Sequence, residues 1–240
     1  MSNGETDRLA VLIDADNAMA SVIDELLKEI SKYGTPTVKR AYGDWTTTSL
    51  KSWKAVLHKN AIQPEQQFSY TSGKNSTDSA LIIDAMDLLY SKNFEGFCIV
   101  SSDSDFTRLA TRIRQDGLTV YGFGEQKTPE PFVAACDKFV YLEVLKESPK
   151  KGKGLPNTAT KKLTALKKVF KDAIDAVARD DGWAALSMVG SQISKTNPSF
   201  DPRAYGYAKM KDLVAALGSV EIKNVKSGEH VQVFVKLKSK

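Results

Sequence analysis

Aspartates follow directly after apolar runs at two separated places in the chain. Asp14 and Asp16 lie in "IDADN", after the run "RLAVLI", and Asp103 and Asp105 lie in "SSDSDF", after the run "GFCIV". Carboxylates this close together repel one another unless a cation or a proton lies between them. The arrangement therefore costs stability unless the chemistry of a site uses it.

The elements that must position these acids follow an α/β pattern. Apolar runs such as "RLAVLID", "TVKRAYG", "GFCIVSS" and "LTVYGFG" alternate with segments of helical periodicity such as "SVIDELLKEISKYG" and "TDSALIIDAMDLLYS". Strands that are apolar on both faces and alternate with helices indicate a mostly parallel sheet covered by helices. We therefore predict a doubly wound α/β domain.

This fold predicts that the acids converge. Ligands of such sheets bind outside the carboxyl ends of the strands. Asp14 and Asp16 follow the first predicted strand, Asp103 and Asp105 follow the fourth, and Asp78 opens a helix after the loop "TSGKNS". Four or five carboxylates can thus meet at one edge of the sheet.

Oxygen-rich clusters of this kind suit Mg²⁺ or Mn²⁺, which accept carboxylate ligands and keep several waters. Zinc prefers nitrogen and sulfur ligands, and this half of the chain has only His58 and the scattered Cys98 and Cys136. We expect both cysteines to be buried, reduced thiols. The sequence therefore predicts a magnesium or manganese site that meets phosphate.

Structural roles for the same acids stay open at this point. Asp105 can cap the helix that follows it, and Thr77 or Asp78 can cap the helix that begins there. Asp14 ends an apolar strand with no helix directly beside it, so a purely structural role is harder to assign. Asp84 and Asp87 lie inside a predicted helix and are expected to be ordinary acids, although Asp84 interrupts the apolar "ALII".

Charge divides the chain into two parts. Residues 1–147 hold 16 Lys and Arg against 21 Asp and Glu, a net of −5, whereas the remainder holds 18 against 8, a net of +10. The segment "SPKKGKGLPNTA" is rich in Pro, Gly and Lys and is typical of an exposed linker. We predict domains at 1–147 and 160–240, joined by a linker at 148–159. The basic part is a candidate for binding polyanions.

The first 147 residues resemble the NYN domain, specifically the LabA-like branch of the PIN-like nuclease group. The resemblance is carried by "VLIDADN", "GKNSTDSALIIDAM" and "IVSSDSDFTRL", in that order, and spans Arg8 to Glu143. It implies a Rossmann-like, PIN-like α/β fold and metal-dependent cleavage of RNA. Carried over by position, the implied metal-binding and catalytic residues are Asp14, Asp78, Asp103 and Asp105. The implied substrate-binding residues are Asn17, which follows the first acidic motif, and Lys74, which lies in the loop before Asp78. The role of Asp16 stays open.

The basic part resembles the OST-HTH or LOTUS domain. The resemblance is carried by "GWAALSMVGSQISKTNPSFDPRAYGYAKMKDLVAAL" with the strands "VEIKNV" and "VQVFVKLK". The residues themselves predict a small winged helix, with helices at about 161–178, 188–195 and 203–217. The basic residues expected to face outward on the third helix and wing are Arg203, Lys209, Lys211, Lys223 and Lys226. We expect Arg203, Lys209 and Lys211 to contact phosphates, and Tyr205 and Tyr207 either to stack on unpaired bases or to pack in the core. The resemblance implies RNA binding, or a protein partner in its place.

Together these features predict a Mg²⁺- or Mn²⁺-dependent endoribonuclease that binds single-stranded or structured RNA. Two alternatives stay open: a haloacid-dehalogenase-type phosphatase, because "DADN" is similar to its Asp-x-Asp pair, and a non-catalytic RNA-binding or regulatory protein. The chain has no run of about 18 apolar residues and no signal-peptide pattern at its start. We therefore expect a cytoplasmic protein without a membrane partner.

Overall fold

A computed structural model of the chain describes residues 6–68, 76–146, 159–227 and 230–238, with the side chains of 159–163, 227 and 230 left aside. The chain divides into two compact units, Met1–Lys146 and Glu147–Lys240. Apart from Ala159, the predicted linker lies outside the described residues, so its boundaries stay a prediction. Lys74 also lies outside them. Within the described part, no helix is both long and apolar enough to cross a membrane.

The first unit is built on a parallel sheet of six strands. The strands are β1 (Arg8–Asp14), β2 (Thr35–Gly43), β3 (Gln63–Gln66), β4 (Gly96–Val100), β5 (Thr119–Gly124) and β6 (Lys138–Tyr141). Their order across the sheet is β3-β2-β1-β4-β5-β6, and every neighbouring pair is parallel. The predicted parallel α/β domain is therefore confirmed.

Helices cover both faces of this sheet. They are α1 (Ile23–Ile30), α2 (Trp53–Lys59), α3 (Ser76–Tyr90), α4 (Thr107–Gln115), α5 (Glu130–Ala135) and α6 (Leu142–Lys146). Alternate residues of β1 serve the two faces: Val11 and Ile13 pack with α1 and α2, whereas Ala10 and Leu12 pack with α3, α4 and α5. Because both faces are buried, the central strands are apolar throughout.

The strand order reverses beside β1. The chain runs outward from β1 through β2 to β3, and then crosses back through α3 to β4, which pairs with the other edge of β1. The carboxyl ends of β1 and β4 therefore form the switch point at which such sheets bind ligands. Asp14 ends β1, and the segment beginning at Ser101 follows β4.

The second unit is a winged helix with three helices and a small antiparallel sheet. Its elements are α7 (Ala159–Val177), β7 (Ala184–Ala185), α8 (Leu186–Thr196), α9 (Met210–Leu217), β8 (Val220–Ser227) and β9 (His230–Leu237). The strand order is β7-β9-β8, and both pairs are antiparallel. Phe170, Val189, Leu213 and Val235 are among the residues of its buried core.

The predicted start of the third helix at Arg203 is wrong. Residues Pro202–Tyr205 form a separate 3-10 turn, which begins where the Asp201 side chain accepts a hydrogen bond from the Arg203 amide at 2.8 Å. Gly206 ends this turn with a φ of 82°, a left-handed conformation that favours glycine. The true helix, α9, begins only at Met210, so Arg203 is not on it.

Candidate metal centre

Asp14 is a fully buried carboxylate at the end of β1. Its Oδ2 accepts hydrogen bonds from the Ser101 hydroxyl at 2.7 Å and from Asn17 Nδ2 at 2.9 Å, and its Oδ1 accepts from the Asn17 amide at 3.3 Å. Burial raises the pKa of Asp14, and these hydrogen bonds oppose that rise. The carboxylate is therefore held in one orientation at a place where its charge is costly.

Three more carboxylates gather at the same edge of the sheet. Asp78 lies in the first turn of α3, and Asp103 and Asp105 follow β4. One carboxylate oxygen from each lies within 4.8 Å of the others. The structure thus brings Asp78 together with a pair of acids that lies 25 or more residues further along the chain.

The pKa of Asp78 is affected by this crowding of carboxylates. Its pKa is raised to about 6, first by burial and then by the negative charges of Asp14, Asp103, Asp105 and Asp16. Asp14 lies outside the group of three but close enough to act on Asp78. A divalent cation would offset the repulsion among these groups.

The segment after β4 is fixed by its own short hydrogen bonds. The Ser101 hydroxyl, which donates to Asp14, also accepts from the Asp103 amide at 3.1 Å, and Asp103 Oδ1 accepts from the Asp105 amide at 2.9 Å. Asp103 is therefore the residue that caps the following 3-10 turn, not Asp105. A Cβ on Gly124 of β5 would lie 2.6 Å from the Ser101 carbonyl oxygen, so the close approach of β5 to the segment after β4 requires glycine.

Two hydroxyl residues of the site were not predicted as functional residues. Ser101 is buried and orients Asp14. The buried Thr77 donates its hydroxyl to Asp16 Oδ2 at 3.0 Å and so joins the loop after β1 to the start of α3. Their only sequence signal is adjacency to the acidic motifs, because a serine or threonine at such a position is common in any loop.

Asn17 and Asp16 form hydrogen bonds with other side chains of the protein. The Asn17 side chain donates to Asp14, which makes it a positioning residue for that carboxylate. Asp16 is exposed and accepts the hydrogen bond from Thr77. The predicted contact of Asn17 with substrate stays a prediction, as does the contact predicted for Lys74.

Asp84 is not an ordinary surface acid. Its carboxylate forms an ion pair with Arg40 and accepts a hydrogen bond from the Tyr42 hydroxyl, both on β2. Burial and the neighbouring Asp84 raise the pKa of Tyr42, so its hydroxyl stays protonated and donates. Because Tyr42 pairs with Asp14 in the sheet, this contact fastens α3, which carries Asp78, to the strand beside Asp14.

The predicted phosphate-binding residues of the second unit differ in their surroundings. The Arg203 guanidinium pairs with the buried Asp201 through Nη2 at 2.6 Å and Nε at 3.0 Å. Lys209 is exposed just before α9, and Lys211 on α9 donates to Asn224 Oδ1 at 3.2 Å. Tyr205 and Tyr207 pack against the hydrophobic core. Of the two roles left open for these tyrosines, the structure shows packing.

The sequence profile of the NYN domain matches residues 8–143. The chain belongs to the NYN domain family. An OST-HTH/LOTUS domain matches residues 161–232 of the same chain. NYN domains belong to the PIN-like nuclease superfamily, and both kinds of domain are associated with RNA. The protein therefore has an RNA-related nuclease fold joined to an RNA-binding type of domain.

One solved structure shares the fold of the first unit, and two others align with shorter parts of the chain. The NYN protein aligns with a protein of unknown function from Vibrio parahaemolyticus at 17% identity and a TM-score of 0.50, over 59% of this chain and 96% of that one. A solution structure from Chromobacterium violaceum aligns at 39% identity over 31% of this chain and 82% of its own, with a TM-score of 0.28. Another from Nitrosomonas europaea aligns at 26% identity over 39% and 83%, with a TM-score of 0.29. No curated protein matches the chain.

Proposed function

We propose that this NYN protein is a metal-dependent endoribonuclease that hydrolyses phosphodiester bonds within RNA. The observation that carries the proposal is the convergence of Asp78, Asp103 and Asp105 within 4.8 Å at the switch point of the sheet. Asp78 comes to this edge from α3, Asp103 and Asp105 come from the segment after β4, and Asp14 lies beside them. Because like charges destabilise one another, the proximity of these carboxylates supports a role in binding a cation.

The donor set of this cluster fits Mg²⁺ or Mn²⁺. All donors are carboxylate oxygens, which hard cations prefer, and the cysteines of the chain are buried elsewhere in the unit. We propose that Asp78, Asp103 and Asp105 hold the ion directly, with Asp14 as a further ligand. When bound, a divalent cation polarises a phosphoryl oxygen and lowers the pKa of a coordinated water.

The residues around the cluster are suited to keep it in place while RNA binds and leaves. Asn17 and Ser101 hold the Asp14 carboxylate by hydrogen bonds, and Asp103 fixes the backbone at Asp105. Asp105 is exposed and Asp103 is partly exposed, so a phosphodiester can approach the cluster from solvent. Such preorganised positioning is what catalysis of hydrolysis requires from the protein.

We propose that the OST-HTH/LOTUS domain supplies most of the affinity for RNA. The net charge of −5 through residue 147 opposes a polyanion, whereas the net of +10 beyond it attracts one. Lys209 and Lys211, which were predicted to contact phosphates, are both exposed. In the NYN domain, Lys74 is the basic residue proposed to contact the phosphate near the cluster.

The experiment that tests this function compares three substrates. Purified protein is incubated with circular single-stranded RNA, structured RNA and a generic phosphomonoester, each with Mg²⁺, Mn²⁺ or EDTA. We expect the circular RNA to be opened with either metal and to stay intact with EDTA, because only an endonuclease can cut a strand without ends.

Two other outcomes would replace the proposal. Hydrolysis of the phosphomonoester without cleavage of RNA would indicate a phosphatase of the haloacid dehalogenase type. Binding of RNA without cleavage under any metal condition would indicate a regulatory RNA-binding protein.

A further inference from the structure

The small sheet of the OST-HTH/LOTUS domain has two chemically different faces. Alternate strand residues, including Val220 and Val235, face the core, with Ile222 and Val233 packed against it. The residues between them, among them Lys223 and Phe234, point to the opposite face, because successive side chains of a strand alternate. This opposite face is called the outer face below.

Two aromatic rings lie on the outer face, and each has a cation over it. Lys223 Nζ lies 5.8 Å from the centre of the Trp183 ring, and Arg179 Cζ lies 5.5 Å from the centre of the Phe234 ring. These distances are within the range of cation–π attraction. Both rings are partly exposed, and both cations are exposed.

One ring belongs to the sheet and the other lies just before its shortest strand. Phe234 pairs with Ala185 of β7, and Trp183 lies two residues before Ala185. Two residues of extended chain span about 7 Å, so the Trp183 position is close enough to the Phe234 pair for one RNA strand to reach both rings. Lys236 shares this face, and Glu221 is its partner across the sheet.

From these contacts we infer that the outer face of the β7-β9-β8 sheet binds single-stranded RNA, with Trp183 and Phe234 stacking on bases and Arg179 and Lys223 contacting phosphates. Aromatic rings on a sheet flanked by cations are a common platform for unpaired nucleotides. The inference rests on the proposed function in one respect, namely that RNA is the ligand of this protein.

On the side of the domain near α9, Lys209 is exposed, but the other residues predicted to bind RNA make contacts within the protein. Near α9, the Arg203 guanidinium is paired with Asp201, and the rings of Tyr205 and Tyr207 pack on the core. Lys211 donates to Asn224, whose position on β8 alternates with that of Lys223. Variants of Lys211 and Lys223 therefore test different faces of the same sheet.

Charge-removing variants test the phosphate contacts. Binding of a fluorescent single-stranded RNA to the full chain is measured by anisotropy in EDTA, across a range of salt concentrations. Lys223→Gln and Arg179→Gln should each weaken binding several-fold and lower the slope of log affinity against log salt by about 0.7. Lys171→Gln, on the exposed surface of α7, should change neither the RNA affinity nor its salt slope. A larger loss in Lys211→Gln than in Lys223→Gln would overturn the inference in favour of α9.

Fluorescence of Trp183 tests the stacking itself. The other tryptophans, Trp45 and Trp53, lie in the NYN domain, so RNA bound at the outer face should quench Trp183 selectively. Trp183→Phe should keep binding within a few-fold and lose this quenching, whereas Trp183→Ala should lose affinity about tenfold. Circular dichroism confirms that both variants fold. Equal quenching in Trp183→Phe and the unchanged chain would overturn the stacking role.

These results stay distinct from the test of cleavage. A chain that cuts RNA with Mn²⁺ but binds it in EDTA without regard to Lys223 and Trp183 keeps the proposed function and loses this binding face. A chain that binds through these residues and does not cut keeps the face and loses the nuclease. If no RNA binds even at low salt, the inference is wrong and the outer face serves a protein partner.

Discussion

The Asp14 carboxylate has no exposed surface and three hydrogen-bond contacts, to Ser101 and Asn17. Asp14→Asn keeps nearly the same size but removes the charge that the proposed metal requires. Loss of a residue that only supports a metal ligand costs roughly 10–100-fold in activity. Loss of a ligand should cost more, so the rate of RNA cleavage should fall by a larger factor. Gel assays with labelled RNA and Mn²⁺ measure the rate.

A matched control for this variant lies on α3. Asp87 is an exposed acid on the helix that carries Asp78, and Asp87→Asn should leave cleavage unchanged. Asp103→Asn should fold, because asparagine can still cap the turn that Asp103 begins. It should lose cleavage as Asp14→Asn does, because it also removes a charge from the proposed metal site. Cleavage by Asp14→Asn at the unchanged rate would remove Asp14 from the proposed centre.

The raised pKa of Asp78 predicts a pH dependence of stability. Burial and neighbouring carboxylates raise it from the usual 3.8 to about 6, so the ionised form is disfavoured in the folded state. The resulting loss of stability is fully present above about pH 6 and disappears as pH falls toward 3.8. Without metal, Asp78→Asn should therefore raise the melting temperature at about pH 8 and not at about pH 4. Thermal melts in EDTA at both pH values measure this, and Asp87→Asn should show no such difference.

At the scale of elements, the contact of Asp84 with Arg40 and Tyr42 joins α3 to β2. Tyr42→Phe removes one hydrogen bond and should lower stability by about 1 kcal/mol. Asp84→Ala also leaves the Arg40 guanidinium without this carboxylate, and should cost about 1.5–3 kcal/mol. Urea denaturation measures both.

An exposed ion pair serves as the control for these two variants. Lys59 pairs with Asp24, and both side chains are exposed, so Lys59→Ala should change stability by about 0.5 kcal/mol or less. If Asp84→Ala costs no more than Lys59→Ala, the contact does not fasten α3 to the sheet.

A bound cation should join three elements: the end of β1, the start of α3 and the segment after β4. Because the unfolded chain lacks this site, binding stabilises the fold by about 2.7 kcal/mol at a hundredfold excess over the dissociation constant. Millimolar Mn²⁺ should therefore raise the melting temperature of the NYN domain relative to EDTA. The variant Asp103→Asn should lose most of this rise. Superimposable melting curves with Mn²⁺ and EDTA would show that the acids form no strong site.

The division of charge between the two units makes a prediction for the whole molecule. Cutting the chain within "KKGKG" separates an acidic fragment from a strongly basic one. The NYN fragment should keep residual cleavage but bind RNA far more weakly, and the OST-HTH/LOTUS fragment should bind RNA with an affinity that falls steeply as salt rises. Filter binding across salt concentrations measures both fragments. Equal RNA affinity in the NYN fragment and the whole chain would contradict the division of roles.

Much of the fold is already determined by local patterns in the sequence. Strands buried on both faces must be apolar, and helices that cover them show one apolar stripe, so "GFCIV" and "SVIDELLKEI" predict β4 and α1 directly. Asp14 and Asp103 could be placed at one edge because the carboxyl ends of parallel strands meet there. The third helix of the second unit was misplaced because the apolar periodicity of α9 continues across Gly206, which ends the preceding turn.

The tertiary structure alone decided what each side chain contacts. The sequence placed Asp84 in a helix, but its partners Arg40 and Tyr42 lie 42 or more residues away on another element. The same holds for Ser101 with Asp14, and for Trp183 with Lys223. Periodicity shows which face of an element is buried, because that depends on residues a few positions apart. It cannot show which residue of a distant element lies opposite, since that depends on how the whole chain packs.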